Sequence, residues 1–266
     1  MDGIAAPKNV AVTVRGHVAR IVLNRPDRHN AFDDRVIVSL SHIFDALAKQ
    51  SEVRAVVLAA EGRSFCAGAD LTWMKRTARY EFAENQADAL MLAEMLAKLN
   101  RMPKPTVALV QGGAYGGGVG LIAACDIAIA ADDARFALSE VKLGLIPSVI
   151  SPYVIAAIGA REARRYFLTA EPFAAMEAHR IGLVHQVVPA DDLEAAGERM
   201  IGHLVEAGPK AVANAKKLIA DVSGRPVDAA LMQETARRIA EARAGAEGQE
   251  GIAAFFERRK PDWPKS

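Results

Sequence analysis

Two small-residue loops and one acid carry the residue types in this chain best suited to moving charge. The stretch Gln111-Gly-Gly-Ala-Tyr-Gly-Gly-Gly-Val-Gly120 holds six glycines in ten residues, between the apolar runs Pro105–Val110 and Leu121–Cys125. Glycine there gives up backbone entropy that alanine would save, so bare backbone must be needed. A glycine turn that opens a helix exposes N–H groups at the positive end of the helix dipole. Such groups can hold a phosphate, or an oxygen that turns negative during a reaction. Ala67-Gly68-Ala69-Asp70 is a second small-residue loop leading from a strand to a helix, and Glu140 is a lone acid after the short strand Phe136–Ser139. If both loops open helices that converge, their N–H groups pair into an oxyanion hole, and a nearby carboxylate can move protons beside a carbonyl. The same residues also read as tight loop packing and a surface acid. Composition alone leaves both readings open.

Other chemistries find no support. The glycines do not form GxGxxG followed by a ribose-binding acid, and there is no Walker lysine, GxSxG elbow or HExxH. The six histidines, at 17, 29, 42, 179, 185 and 203, lack metal-ligand spacing, so no metal is expected. Cys66 and Cys125 are the only cysteines, which argues against a disulfide framework and fits a reducing cytosol. A net charge of +1, from 33 basic and 32 acidic residues, gives no general pull toward nucleic acid or an acidic membrane. No apolar run reaches the roughly 18 residues of a membrane span, and residues 1–8 lack a signal or transit character. The expectation is a cytoplasmic protein that binds neither nucleic acid nor membrane.

The elements that must position these residues follow from periodicity. Val10, Val12 and Val14 alternate with polar or small residues, and with Val18–Leu23 they predict an opening hairpin. Asp33 and Asp34 precede a helix with Val36, Leu40, Ile43, Phe44 and Leu47 on one face. Strands are expected at Val53–Ala59, Pro105–Val110, Asp126–Ala131, Arg135–Leu138 and Val184–Val188. Helices are expected over 71–79, 84–99, 161–168 and 174–181, with the remainder helical. Repeating strand–strand–helix units predict an α/β core with a helical appendage. At 266 residues the chain can bury one large core plus a small lobe.

Seven motifs in order then give a resemblance over nearly the whole chain. They are Leu23-Asn-Arg-Pro26 with His29-Asn-Ala31, Ser64-Phe-Cys-Ala-Gly-Ala-Asp-Leu71, Lys104-Pro105, and Gln111–Gly120 followed by Cys125-Asp126-Ile127. Phe136–Glu140, Gly182-Leu183-Val184 and Ala254–Lys260 complete the series. In these the chain resembles the crotonase superfamily, the enoyl-CoA hydratase/isomerase group. The resemblance implies a spiral of ββα repeats over 1–195 with the acyl-CoA site, and a helical oligomerisation and coenzyme-A-capping region over 196–266. It implies a homotrimer or homohexamer and a coenzyme A thioester as substrate, with no separate cofactor. By position, the backbone N–H groups of Ala69 and Gly117 would form the oxyanion hole, Glu140 would handle the proton, and Gly116 would let the thioester approach. Ala67, Asp70 and Leu71 would accommodate adenine and pantetheine, Arg28 and His29 would lie beside the nucleotide, and Phe255 and Arg258 would reach coenzyme A from a neighbouring subunit.

Two departures bear on the reaction. Hydratases of this family carry a first glutamate two residues after the triple glycine, where this chain has Gly120. Hydration by Glu140, double-bond isomerisation using that one acid, and a non-catalytic coenzyme A- or RNA-binding role all remain open. Tyr115, Ser139 or a carboxylate of the substrate would have to stand in for a missing acid. The second departure is Ser148–Tyr153 where a Gly-Gly-Thr-Gln type of turn is expected. With Gly118–Leu121 and Arg164–Thr169 it is similar to the bacterial methylglutaconyl-CoA hydratases of leucine and isoprenoid degradation. Helix 71–90 and residues 148–153 would wall the acyl pocket.

Overall fold

The computed structural model describes residues 9–263, so the N-terminal octapeptide and its expected lack of a leader lie outside the described residues. The chain opens with β1 (Val10–Arg15) and β2 (Val18–Leu23), antiparallel with Val10 opposite Leu23 and Arg15 opposite Val18. A 3-10 turn at Pro26–Arg28 leads to α1 (Asp34–Lys49). Asp33 caps α1 by accepting from the Val36 N–H at 3.1 Å. Its apolar residues recur every three to four positions, so Val36, Leu40, Ile43, Phe44 and Leu47 are all buried on one side.

Three units follow. The first is β3 (Ala55–Ala60), β4 (Ser64–Cys66), α2 (Leu71–Thr77) and α3 (Phe82–Asn100). The second is β5 (Thr106–Val110), β6 (Gly113–Tyr115) and α4 (Gly117–Ala124). The third is β7 (Ile127–Ala131), β8 (Arg135–Ala137) and α5 (Ser151–Thr169). β9 (Phe173–Ala174), α6 (Ala175–Arg180) and β10 (Gln186–Val188) complete the two sheets. Four helices end the chain: α7 (Leu193–Glu206), α8 (Pro209–Val222), α9 (Ala229–Ala244) and α10 (Ala246–Glu257).

Each unit contributes one strand to each of two sheets, in the orders β1-β2-β3-β5-β7-β10 and β4-β6-β8-β9. From β2 to β10 the large sheet is parallel, as are β4, β6 and β8 in the small one. This is the expected α/β spiral of ββα turns. β3 and β5 are buried almost throughout because helices cover the sheet, which is why they read as unbroken apolar runs.

Local pattern missed some details. Ser64–Cys66 and Gly113–Tyr115, expected as loops, are strands, since β4 and β6 pair with each other and β6 with β8. Pairing between turns supplies what three residues cannot show alone. The end of the glycine run, Gly117–Gly120, does not precede its helix but forms its first turn, because α4 starts at Gly117. Helix 161–168 proves to be the second half of α5, which starts at Ser151 and breaks at Gly159, where φ is 73°. Glu140 opens a 3-10 turn, Glu140–Leu143, just past β8.

α7 lies on the outer face of the large sheet, where Leu193 and Ala196 pack with Val57, Val107, Leu109 and Ile129. The expected boundary at 195/196 therefore falls inside α7. Beyond it, α10 packs on α8 and α9. Lys216 of α8 ties this group to the core by donating to Asp126 Oδ2 at 2.7 Å. Buried Lys104 donates to the Leu47 and Gln50 carbonyls at 2.6 and 2.5 Å and so closes the C-terminal end of α1. Among the described residues no helix is long and apolar enough to cross a membrane.

Candidate active site

The two small-residue loops meet. A Cβ placed on Gly68 would sit 2.9 Å from the Tyr115 carbonyl oxygen and 3.8 Å from the Gly117 nitrogen. Gly68 has φ of +85°, so a side chain would also be strained there. In the first loop the Ala67 N–H donates to the His29 carbonyl and the Asp70 N–H to the Phe32 carbonyl, both at 2.9 Å. The Ala69 N–H between them has no acceptor among the described residues. In the second loop Gly117 is the first residue of α4, so its N–H has no acceptor within the helix. No side chain caps that end. Two unused N–H groups therefore lie on adjoining loops.

Glu140 stands beside them. A Cβ on Gly116 would come within 3.0 Å of Glu140 Oε1, so glycine there is what admits the carboxyl group. The Gly116 N–H donates to the Ala137 carbonyl at 2.9 Å, which joins the start of α4 to the strand that delivers Glu140. Glu140 Oε2 is buried with no hydrogen-bond partner, the one such side-chain atom among the described residues. Burial pushes the Glu140 carboxyl above the usual carboxylate range, offset only in part by its own backbone N–H. A carboxyl raised in this way and left with a free oxygen is suited to taking and returning a proton.

Gly120 lies one helical turn further on, its N–H donating to the Gly116 carbonyl at 3.2 Å. The space a side chain would need is already filled. A Cβ at 120 would meet Ile150 Cγ2 at 2.2 Å and Ile150 Cβ at 2.8 Å. The position holds no acid, and no vacancy for one either.

Asp70 and the residues around Arg28 form a second cluster. Asp70 caps α2 by accepting from the Thr72 and Trp73 N–H groups at 2.8 and 3.3 Å. Its Oδ2 accepts from Arg28 at 2.8 Å and Arg25 at 3.2 Å. Burial alone would raise the Asp70 carboxyl, but Arg28, the two N–H groups and Arg25 outweigh it and bring it down to about 2. A group depressed in the fold stabilises it above its unfolded value of 3.8 and loses that contribution as pH falls toward 2. Asp70→Asn is thus expected to lower Tm at neutral pH. In a melting series the gap from wild type should hold above about pH 4 and close near pH 2. A gap unchanged at pH 2 would show that the charge is not what Asp70 contributes.

The remaining candidates are spread out. Half of the Arg28 side chain is exposed while it holds Asp70. His29 Nδ1 lies 3.1 Å from Ser64 Oγ. Leu71 is 75% exposed at the start of α2. Phe255 is exposed on α10, and Arg258 ends that helix with φ of 53°. The helix that carries them, α10, packs mainly on α8 and α9. Among the described residues no cluster of His, Cys, Asp or Glu is arranged for a metal. Cys66 and Cys125 are free and buried, and burial pushes both thiols up to about 12.

Sequence reasoning assigned no role to Arg25, Asn30 or Phe32, and placed Ile150 only within the 148–153 segment expected to wall the acyl pocket. Asn30 is 2% exposed, accepts from the Arg25 N–H at 2.8 Å, and donates to the Glu61 and Ser64 carbonyls. It fixes the loop in which Arg28 and His29 sit. An Asn and a Phe inside a turn-rich polar segment were the available signals.

Comparison with known proteins points one way. The family model for enoyl-CoA hydratase/isomerase matches residues 13–266. The short-chain-enoyl-CoA hydratase of Clostridium acetobutylicum is 32% identical over 254 residues, 95% of this chain and 96% of that protein. An enoyl-CoA hydratase crystal structure from Shewanella pealeana is 45% identical with a TM-score of 0.93, covering 96% of each chain. The enoyl-CoA hydratase/isomerase structure from Marinobacter aquaeolei is 32% identical with a TM-score of 0.91, covering 97% of this chain and 99% of that one.

Proposed function

The chain belongs to the enoyl-CoA hydratase/isomerase family, and from that premise we propose that it adds water reversibly across the double bond of an α,β-unsaturated acyl-CoA. The observation carrying this reading is the buried, partnerless Glu140 Oε2 beside adjoining loops that each present an unused N–H. The thioester oxygen accepts from Ala69 and Gly117. As the water oxygen bonds to the β-carbon, the double-bond electrons move onto the thioester oxygen, giving an enolate that these two donors stabilise. One such donor typically contributes about 2.7–4 kcal/mol. Glu140 takes the proton the water gives up, then returns it to the α-carbon as the enolate collapses. One carboxyl group can do both steps if water and α-proton share a face.

For coenzyme A, Arg28 has an exposed guanidinium suited to a phosphate. Ala67, Asp70 and Leu71 would border the adenine and pantetheine parts, and His29 the nucleotide. Phe255 and Arg258, on a helix that packs mainly on α8 and α9, would act on a neighbouring subunit of a homotrimer or homohexamer. No cofactor beyond the thioester enters the scheme. Within the substrate class we favour methylglutaconyl-CoA, whose own carboxylate would supply a charge that Gly120 does not.

Gly120 also favours a second reading. Moving a double bond needs one acid–base group on an enolate, and Glu140 suffices. Product mass after incubation with trans-2-enoyl, trans-3-enoyl and methylglutaconyl thioesters separates the two. Hydration is expected to add 18 Da to the trans-2 or methylglutaconyl substrate. Conversion of the trans-3 substrate to a product of unchanged mass but new chromatographic retention would replace hydration by isomerisation. Coenzyme A binding with no turnover on any thioester would leave a binder.

A further inference from the structure

We propose that Phe32 is a positioning residue that sets the separation of the two N–H donors, a role that rests on the reading of Ala69 and Gly117 above. Phe32 is 2% exposed and touches both loops through different parts of itself. Its backbone forms a parallel bridge with Ala69. The Phe32 N–H donates to the Gly68 carbonyl, and the Phe32 carbonyl accepts from the Asp70 N–H, both at 2.9 Å. In such a bridge the middle residue turns its own N–H away from the partner strand, so Phe32 aims the Ala69 donor.

Its ring meets the other loop. A Cβ on Gly117 would lie 2.3 Å from Phe32 Cζ and 2.9 Å from Cε1, so the α4 N-terminus rests directly on the ring edge. Behind the ring stands Trp73, with centroids 6.2 Å apart and planes tilted by 50°. Pairing of Ser64 with Gly113 and of Cys66 with Ala114 fixes the roots of the two loops. Phe32 fixes their tips. One rigid residue, with two side-chain torsions, thereby spans the gap between the donors. Its covalent geometry determines how far Gly117 stands from the backbone that aligns Ala69.

The sizes of Phe32 and of residue 117 are therefore coupled, and a size swap tests this. Gly117→Ala keeps its N–H but drives a methyl into the ring, and is expected to lower kcat about 100-fold, the effect of a misplacement near 1 Å. Phe32→Leu is expected to lower kcat by about tenfold with KM within about threefold, since the groups that hold coenzyme A are untouched. Together the two changes should recover at least about tenfold over Gly117→Ala, because the shorter side chain accommodates the methyl. Losses that simply add would show that the two positions are not coupled in size and would overturn the proposal; a second readout separates positioning from packing alone.

A second readout is the ¹³C signal of the thioester carbonyl in bound, carbonyl-labelled butyryl-CoA. In wild type it should move from its free position, and in Phe32→Leu it should move back toward it. An identical signal in both proteins, each folded by near-UV circular dichroism, would also overturn the role of Phe32. A wild-type signal equal to that of free butyryl-CoA would instead remove the donor reading itself. If Phe32→Leu does not fold, Phe32→Met carries the same comparisons.

Discussion

Glu140→Gln is expected to lower kcat by about 10²–10⁴-fold, the usual range for a lost acid–base group, while making the protein melt at a higher temperature. Both effects come from one property, a carboxyl oxygen buried without a partner. Burial raises the folded-state value above the model value of 4.5. At pH below 4.5 the group is protonated in folded and unfolded chains alike and costs nothing. As pH rises through the interval up to the raised value, the unfolded chain releases its proton first, and this favours unfolding. Above that interval the cost is constant. The variant should thus match wild type at pH 4 and exceed it at pH 7. A cost on the order of 1 kcal/mol would appear as about 2–4 °C in a chain of this size. Calorimetry at the two pH values and steady-state turnover measure the two effects. Near-normal turnover would remove Glu140 from proton transfer, and equal Tm at pH 7 would show that its charge is already well solvated.

Gly120→Glu is expected to destabilise the fold by more than about 4 kcal/mol, the range reached when overpacking and an unpaired buried charge combine. The reason is Ile150, whose Cγ2 would lie 2.2 Å from the new Cβ. Ile150 is 2% exposed at the N-terminal end of α5. Adding Ile150→Ala should recover more than half of the loss by opening space beside the new side chain. Denaturant titration of both variants measures this. A single variant as stable as wild type would show that Ile150 gives way easily. The coupling has a chemical meaning: the clash with Ile150 means that a second acid at 120 requires two simultaneous changes.

Much of the architecture was legible because it rests on strong periodic signals. The α1 stripe from Val36 to Leu47 and the apolar runs of β3 and β5 repeat at the spacing their surroundings require. β4, β6 and β9 were less visible, being two or three residues long and specified by partners in other turns. At the site, the glycines stood out by composition, whereas Glu140 and the two loops gained their roles only through the family resemblance. The roles of Phe32 and Ile150 stayed hidden, since an apolar side chain shows its purpose only through the atom it faces. Asp70 lay between these cases. Its place before a helix was readable, whereas its hold on Arg25 and Arg28 depends on a loop folded back by Asn30.

The order of strands has a further consequence for how the molecule resists opening. The segment holding Phe32 follows β2, the Ala69 loop follows β4, Gly117 follows β6 and Glu140 follows β8, so four successive coils of the spiral each contribute one piece. A thioester lying across them would act like a rivet through stacked washers. Its binding energy would oppose separation of the coils from one another. Hydrogen exchange in the presence of a non-reacting acyl-CoA should therefore slow in β3, β5 and β7 as well as in the loops that touch it.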